Sequence, residues 1–425
     1  MDIIKKYEEF TKKQAENNPT KAYKMIKLGL FLEKEKVKFS DKEVPKAYKQ
    51  LNVIAINSIL KALKNPENSA WVNIFTPVEI LQCFDINPLS IECMSCFISG
   101  FECEDYVNEY AENIGVAETL CSYHKGFIGT VESGILPEPK FAFTTSTCCD
   151  GNVNTVRYLA EKHNIDSYIL DIPYEYSLEN EEYVVTQLKQ MIDLLEKKCN
   201  MKFDEEKLKI ILKRENESKR FFEEYLKFQR TKYYPSSLTL HMYMLFASHV
   251  GIGTKEIYDF YKLLSEDIQK YPKSQGLKVF WVHLLPYYQE TMKEYFNFNP
   301  KYQIQSYDTN FDYMEELDIE NPLESLAKKL ILNVYNGSYE RKIEAIEKAV
   351  DTLDSQAVIN FCHWGCKQSS GGVMQLKQAM KKKNIPMLIL DGDCMDRRNC
   401  QDGQLKTRLE AFLEILKNMD GEKNI

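Results

Sequence analysis

Seven of the twelve cysteines in this 425-residue chain stand out, because most of them lie in short turns beside predicted strands. They are Cys121, Cys148, Cys149, Cys362, Cys366, Cys394 and Cys400. Thiolates at strand ends are placed to hold a metal centre, since open α/β sheets bind ligands in a crevice at the ends of their strands. Iron–sulfur clusters are held almost entirely by such thiolates. The pattern therefore predicts a redox metal centre assembled from both halves of the chain.

Other uses of the cysteines fit the sequence less well. Disulfides are disfavoured because the first residues, MDIIKKYEEFTKKQAENN, lack the apolar core of an export signal, and the cytosol keeps thiols reduced. Structural zinc usually needs paired Cys-x-x-Cys or Cys/His hooks, whereas the run at 362–366 offers one short-range pair. Cys121 with His124 as base could be a catalytic pair, but this leaves the other thiols unexplained. Cys83 and Cys199 are expected to be packing residues.

The most specific local signal is the segment NFCHWGCKQSSGG at residues 360–372. Cys362 and Cys366 flank a tight Trp-Gly turn after a strand, and the serines and glycines that follow open the next helix. The backbone amides of a helix start favour negative charge, so they could stabilise an anionic cluster or a reduced substrate. We predict His363 and Ser370 as catalytic residues. For His363, the alternative to a proton donor is a hydrogen-bonded turn residue.

Two further turns carry candidate ligands. In TSTCCDGN, Cys149 lies next to Asp-Gly and is the better ligand, because two adjacent side chains cannot easily both reach one iron cube. Cys148 could be a second ligand or could pack at the strand end. Cys121 comes directly before a predicted helix, where His124 and Lys125 are close by in sequence to offset its thiolate charge.

The segment LDGDCMDRRNCQDGQ combines aspartates, cysteines and arginines at the end of a predicted strand. Cys394 comes immediately after that strand, and we expect it on the face where Cys362 lies. Cys93 and Cys96 follow another predicted strand and are one helical turn apart, so either could reach the same crevice. Cys394 is therefore predicted as a metal ligand, and the other two remain candidates.

Composition narrows the class of protein. Hydrophobic residues make up 44% and charged residues 28%, as in ordinary globular proteins. The net charge is −8 and no long basic run occurs, so nucleic acid is not an expected partner. No stretch of about 18 apolar residues is present, so we expect no membrane span and a cytoplasmic location. The sequence has neither a Walker loop nor a Gly-x-Gly-x-x-Gly motif, so ATP would have to be bound by another protein.

The pattern of elements that must position these residues predicts an α/β fold. Apolar runs that read as strands alternate with helical periodicity, which indicates two doubly wound parallel-sheet domains of Rossmann or flavodoxin-like type. The predicted domains are a helical N-terminal region (1–70), a first α/β domain (71–200), a helical segment (201–275) and a second α/β domain (276–425). The predicted strands lie at 71–77, 87–92, 141–146, 167–173, 276–286, 357–361 and 387–393.

From Trp71 to the C-terminal helix the chain resembles the 2-hydroxyacyl-CoA dehydratase and benzoyl-CoA reductase-like family. The resemblance rests on TPVEILQCFDINPLSIE, LCSYHKGFIGTVESGILPEP, the Cys-Asp-Gly turn, DIPYE and Asn216. In dehydratases of this family, three cysteines hold a single 4Fe–4S cube. The resemblance implies that Cys121, Cys149 and Cys362 occupy those positions here.

The pattern Cys-His-Trp-Gly-Cys-Lys-Gln, with Leu-Asp-Gly-Asp-Cys and Asp-Gly-Gln further on, looks more like the double-cubane cluster proteins of the same family. Those proteins are homodimers in which six cysteines hold two iron–sulfur cubes joined by a sulfide, and an ATP-dependent iron–sulfur activator supplies low-potential electrons. The resemblance implies that Cys366 and Cys394 extend the ligand set. The candidates for a sixth ligand are Cys93, Cys96, Cys103, Cys148 and Cys400.

Two enzymatic functions follow from the resemblance. In the first, the chain is an iron–sulfur reductase with a double-cubane (8Fe–9S) cluster, which reduces small molecules with electrons from an ATP-hydrolysing activator. In the second, it is a single-cubane dehydratase subunit that eliminates water from a 2-hydroxyacyl-CoA. The surplus of thiols at strand ends favours the first. A zinc-stapled interaction protein is the non-redox alternative.

Overall fold

The computed structural model describes residues 3–40 and 43–422, and within them the chain forms two four-stranded parallel sheets. The strands of the first sheet are β1 (Ser69–Val72), β2 (Asn87–Ser90), β3 (Phe141–Thr145) and β4 (Asp166–Leu170). The strands of the second sheet are β5 (Leu277–Val282), β6 (Tyr302–Tyr307), β7 (Ala357–His363) and β8 (Met387–Gly392).

Helices surround both sheets. The first half of the chain contains α1 (Ile3–Asn17), α2 (Pro19–Ser40), α3 (Lys46–Lys64), α4 (Val78–Cys83), α5 (Ile91–Gly100), α6 (Glu104–Asn113), α7 (Ser122–Glu132), α8 (Asp150–His163) and α9 (Leu178–Cys199). The second half contains α10 (Glu205–Gln229), α11 (Leu238–Leu245), α12 (Lys255–Asp267), α13 (Glu290–Phe296), α14 (Pro322–Ile331), α15 (Tyr339–Leu353), α16 (Lys367–Ser370), α17 (Val373–Lys382) and α18 (Asp402–Glu422). None of the helices in these ranges has the length and apolar character needed to cross a bilayer.

Both sheets have the same strand order. The first runs β2-β1-β3-β4 and the second β6-β5-β7-β8, and every pairing is parallel. In each sheet the second strand in the chain (β2 or β6) pairs on one side of the first (β1 or β5). The third strand (β3 or β7) pairs on the other side of the first. The topological switch points therefore lie between β1 and β3, and between β5 and β7, where doubly wound sheets bind ligands. The prediction of two doubly wound α/β domains is confirmed.

Three of the four central strands are buried along their whole length, which explains their near-continuous apolar sequences. All residues of β1, β3 and β7 are buried, as expected for parallel strands covered on both faces. Helices α9 and α14 cover one face of the first sheet, where Leu188 and Leu195 pack in one core with Leu326 and Leu330. The predicted second domain, 276–425, thus supplies a helix to the core of the first sheet.

The structure corrects the predicted strands at three places. The first strand covers Ser69–Val72, so most of the predicted 71–77 segment is loop. Strand β6 was not predicted, because its sequence YQIQSY is half polar; Gln303 and Gln305 are nevertheless buried, and their amides donate to backbone carbonyls. Strand β7 continues to His363, so Cys362 and His363 lie within the strand instead of in the turn after it.

Candidate functional site

A cavity of about 1080 Å³ lies at the carboxyl ends of both sheets. The loops after β1, β3, β5 and β7 line it, together with α5 and the start of α7, and it extends to the N-terminal helices α1 and α2. Six thiol-bearing residues line its wall, namely Cys93, Cys96, Cys121, Cys148, Cys149 and Cys366. The two switch points therefore open into one cysteine-rich crevice.

Three of these cysteines occupy the same kind of position. Cys121 is the N-cap residue of α7, Cys149 that of α8, and Cys366 that of the one-turn helix α16. Burial raises the pKa of the Cys121 thiol, and the nearby charges of Cys366 and Cys149 raise it further. A helix start favours negative charge, but burial outweighs this effect at Cys121 and Cys366, and of the three only Cys149 has a lowered pKa.

Each of these three thiols has a histidine ring nitrogen as a neighbour. Nε2 of His363 lies 3.3 Å from Sγ of Cys121. Nε2 of His283 lies 3.3 Å from Sγ of Cys366. Nε2 of His124 lies 3.9 Å from Sγ of Cys149. The three rings come from β7, from the residue after β5 and from α7, so three separate elements supply them.

Cys148 and Cys149 form a pair of adjacent thiols with different acidities. The interaction between the two neighbouring thiols lowers the pKa of Cys149 and raises that of Cys148. Cys148 has a φ of +85°, a left-handed conformation that is rare outside glycine. This backbone turn lets both thiols face the cavity. Cys149 and Cys148 thus lie side by side in the cavity wall, and the metal-ligand role of Cys149 stays a prediction.

Cys362 and Cys394 are not among the residues that line the cavity. Cys362 neighbours His363 in β7 and therefore points to the opposite face, where Nδ2 of Asn360 lies 3.3 Å from its Sγ. Cys394 is fully buried and lies near Cys96 and Cys121. The expectation that Cys394 lies on the face of Cys362 is wrong. The metal-ligand role of both remains a prediction.

The two predicted catalytic residues also lie behind the cavity wall. His363 is 2% exposed and packs edge-on against Tyr123, with Cys121 between it and the cavity. The hydroxyl of Ser370 donates to the carbonyl oxygen of Cys366, 3.1 Å away. Both side chains therefore support the cysteine-bearing segments. Their catalytic role remains a prediction, and the hydrogen-bonded alternative for His363 is the one that the contacts favour.

Lys125 does not offset the thiolate charge, contrary to expectation. Its ammonium group is buried 2.6 Å from Oε1 of Glu112 and 3.8 Å from Oδ2 of Asp396, because consecutive helical residues point in different directions. His124 is the residue that faces Cys149. Burial lowers the pKa of His124, but the hydrogen bond and charge of Cys149, with the charge of Glu92, leave it raised overall.

Sequence reasoning missed the group around His283. This residue directly follows β5 and has a φ of +73°, and its backbone N–H donates to Oδ1 of Asp308 over 2.6 Å. The buried Lys342 lies 3.0 Å from Oδ2 of Asp308 and over the ring of Tyr335. Burial lowers the pKa of His283, and the Lys342 charge lowers it further. The available signal was a histidine at the end of the strand in WVHLLP.

Buried polar atoms at the crevice lack partners. Nδ1 of His124 and Nδ1 of His283 have no hydrogen-bond partner in the described part of the chain, and neither has Oδ1 of Asn152. Within residues 3–40 and 43–422, no three His, Cys, Asp or Glu side chains converge on a point where one metal ion could bind. The thiols instead surround a larger space.

Comparison with known proteins matches most of the chain to one family of enzyme components. A sequence model of the family described as "2-hydroxyglutaryl-CoA dehydratase, D-component" matches residues 73–416. The (R)-phenyllactyl-CoA dehydratase alpha subunit of Clostridium sporogenes is 22% identical over 384 residues, covering 84% of this chain and 91% of that protein. The (R)-2-hydroxyisocaproyl-CoA dehydratase alpha subunit of Clostridioides difficile is 22% identical, covering 84% and 92%.

A reductase component is similar to the same degree. A subunit of the benzoyl-CoA reductase of Thauera aromatica is 22% identical over 341 residues, covering 72% of this chain and 78% of that protein. Both kinds of relative are enzyme subunits, and the family match covers every strand of the two sheets except β1. The chain therefore belongs to the 2-hydroxyglutaryl-CoA dehydratase D-component family, as the resemblance of its motifs predicted.

Proposed function

We propose that this chain is an iron–sulfur reductase whose crevice holds a double-cubane cluster and whose electrons come from an ATP-hydrolysing iron–sulfur activator. The observation that carries the proposal is that six thiols line one cavity at the two switch points. Six is the number of cysteines that the resemblance to double-cubane proteins implies. By the same resemblance, the active form is a homodimer that acts on small molecules.

The residues present fit such a group. The donors are thiols, which are the ligands that iron–sulfur clusters take. Three of them lie at helix N-caps, which favours the negative charge of a thiolate-bound cluster. The unpartnered Nδ1 atoms of His124 and His283 add polar groups at the wall. When bound, the cluster would supply low-potential electrons to a substrate in the cavity.

The structure leads us to revise the proposed ligand set. Cys121, Cys149 and Cys366 would hold one part of the centre, and the remaining thiols of the cavity, on Cys93, Cys96 and Cys148, replace Cys362 and Cys394 as proposed ligands. Cys93 and Cys96 lie on α5, and Tyr123 lies beside both Cys96 and Cys121. Cys93 and Cys96 on α5 therefore add two thiols to the same cavity.

The chain's own side chains would exclude water from the reacting groups. Aromatic rings form much of the cavity wall, including those of Phe75, Phe97, Phe246 and Tyr335. Phe75 and Tyr335 have ring centroids 5.5 Å apart, so the loop after β1 closes against the second half of the chain. An apolar wall of this kind lowers the local dielectric and strengthens interactions with the few polar groups in it.

The second candidate is a single-cubane dehydratase subunit that removes water from a 2-hydroxyacyl-CoA. Two observations favour it. The relatives from Clostridium sporogenes and Clostridioides difficile are named as dehydratase alpha subunits. In addition, the three N-cap thiols alone, on Cys121, Cys149 and Cys366, are enough for one cube with an open iron site. We favour the reductase over the dehydratase because six thiols line the cavity, which is more than one cube needs.

Iron and sulfide content per chain, measured after anaerobic purification, tests the proposal. We expect about eight irons for the double cubane, whereas about four would support the dehydratase. A colourless protein without iron contradicts both. The double variant Cys93→Ser/Cys96→Ser should lose about half of the iron if two cubes are present. The control variant Cys199→Ser, at a half-buried position away from the cavity, should keep all of it.

The proposed activator is tested by turnover. The sequence carries no phosphate-binding loop, so ATP hydrolysis must be supplied by a partner if it drives reduction. We expect substrate reduction with activator and ATP to be far faster than with dithionite alone. Equal rates in the two assays would contradict a need for the activator while leaving the cluster assignment untouched.

A further inference from the structure

Three cysteines at the crevice each have the Nε2 atom of a different histidine beside their sulfur, at 3.3, 3.3 and 3.9 Å. We propose that these histidines are positioning residues, which donate N–H···S hydrogen bonds to the cysteine ligands and thereby set the reduction potential of the bound cluster. The best-defined donor is His363, on Cys121. The inference rests on the proposed function, because it concerns a cluster held by these thiols.

The tautomer of His363 follows from its surroundings. Its Nδ1 accepts a hydrogen bond from the backbone N–H of Cys394, 3.0 Å away, so Nδ1 carries no proton. A neutral imidazole has one donor and one acceptor nitrogen, so the proton is on Nε2. Nε2 lies 3.3 Å from Sγ of Cys121 and 3.4 Å from Oγ of Ser122. The N–H of Nε2 is therefore directed at Sγ of Cys121, the candidate ligand, and at Oγ of Ser122.

The backbone around His363 holds this arrangement in place. Oδ1 of Asp393 accepts from the backbone N–H groups of Met395 and Asp396 and from the hydroxyl of Ser122. These bonds fix the turn after β8, which brings the N–H of Cys394 to His363. The role of Cys394 in this arrangement comes from its backbone and requires no contact between its thiol and a metal.

His283 has the same relationship to Cys366. Its position is fixed by the hydrogen bond from its N–H to Asp308. Nδ1 of His283 has no partner among the described residues, so Sγ of Cys366 is the polar contact left to the ring. We assign its proton to Nε2 on that ground. His124 has the longest contact, 3.9 Å to Cys149, and is the weakest of the three donors.

The expected effect is electrostatic. A hydrogen bond to a ligand sulfur stabilises the more negative, reduced state of an iron–sulfur cluster, and hydrogen bonds to the sulfurs are among the factors that set its potential. No covalent bond forms or breaks, and no proton is transferred. Removing the N–H should therefore lower the midpoint potential, while a side chain that keeps an N–H in the same place should preserve it.

The test compares His363→Leu, which removes the donor, with His363→Gln, whose amide keeps an N–H near the position of Nε2. Iron content and midpoint potential are measured on the anaerobically purified full-length protein, and circular dichroism checks the fold. The matched control is His163→Leu, because His163 lies on α8 and bonds to Glu132 and Glu138 away from the cavity. We expect a more negative potential in the His363→Leu variant and near wild-type values in the other two.

Two outcomes support the proposal: a His363→Leu variant that keeps iron at a lowered potential, or one that loses iron while the His363→Gln variant keeps it. Three outcomes overturn it: a His363→Leu variant with wild-type potential, His363→Leu and His363→Gln variants that shift equally, or iron loss in both. A wild-type protein without iron would instead contradict the proposed function itself, so the two failures are distinguishable.

Discussion

The side-chain amide of Gln368 donates a hydrogen bond to the carbonyl oxygen of Cys148, 3.0 Å away, and so joins helix α16 to the loop after β3. Cys148 has a φ of +85°, so the amide holds a residue whose backbone is strained. Both residues line the cavity. The contact therefore links the two sheets at the wall of the cavity and holds the Cys148–Cys149 turn in the shape that presents both thiols.

Gln368→Ala should lower the free energy of unfolding by about 1 kcal/mol, because it removes this hydrogen bond and leaves a carbonyl group without its donor. Chemical denaturation measures the change. The control is Gln378→Ala, at an exposed position on α17, which should stay within about 0.5 kcal/mol of wild type. Equal stability of the two variants would show that the amide does not hold the turn.

Gly365→Ala should be strongly destabilising. Gly365 has a φ of +75°, and a Cβ atom there would lie 2.6 Å from the backbone nitrogen of Cys121 and 2.7 Å from the carbonyl oxygen of Thr119. The left-handed conformation alone costs about 1–2 kcal/mol for a residue with a side chain. The melting temperature should fall accordingly. Gly403→Ala, in α18 with open space around it, should not lower it.

The variants Cys366→Ser and Cys362→Ser test which of the two cysteines in the Cys-His-Trp-Gly-Cys segment binds iron. We expect Cys366→Ser to lose iron, because its thiol lines the cavity beside His283. Cys362→Ser should keep the wild-type iron content, because its sulfur faces Asn360 and the carbonyl oxygen of Ser369. The iron content of each variant, measured after anaerobic purification, tests both expectations. Loss of iron in both variants would restore the ligand assignment made from the sequence, which includes both cysteines.

Glu104 should make stability depend on pH. Burial raises the pKa of Glu104 to about 7, although Arg397 opposes the shift, and its Oε2 has no hydrogen-bond partner in the described chain. The folded state therefore binds more protons than the unfolded state between about pH 4.5 and 7. Stability from this group is fully present below about pH 4.5 and is lost as the pH rises towards 7.

The comparison that isolates this effect uses Glu104→Gln, which cannot titrate. Between pH 4.5 and 7, the unfolding free energy of the wild type should fall relative to that of the variant by up to about 3 kcal/mol. Denaturation series at several pH values provide the measurement. Parallel curves for the two proteins would mean that the pKa of Glu104 does not change on folding.

Much of the fold could be predicted, because buried parallel strands have a strong signature. Strands such as FAFTT and AVINF are apolar at most positions and are separated by helices, and the structure confirms their place in two doubly wound sheets. Strand β6 escaped prediction for a physical reason. Its glutamines are buried through hydrogen bonds to backbone carbonyls that come from distant parts of the chain, and those partners cannot be known from local sequence.

The candidate site could be predicted in part. The turns that carry Cys121, Cys149 and Cys366 were predictable, since thiols beside apolar strands are conspicuous. The direction of a cysteine side chain depends on whether the residue lies in a strand or in the turn after it. Strand β7 is two residues longer than predicted, so Cys362 lies within it and points away from the cavity. The histidine partners could not be predicted, because His283 meets Cys366 only through tertiary folding.

The distance along the chain between the two walls of the crevice has a consequence for synthesis. Cys148 and Gln368 are 220 residues apart, and contacts of such separation form late, because a long loop must close before they are made. The N-terminal part of a growing chain folds first. The thiols after β3 therefore emerge from the ribosome well before β7 exists to cover them. Until β7 has been made they are open to solvent and oxidants, so a metal centre that needs both walls can be loaded only after that point.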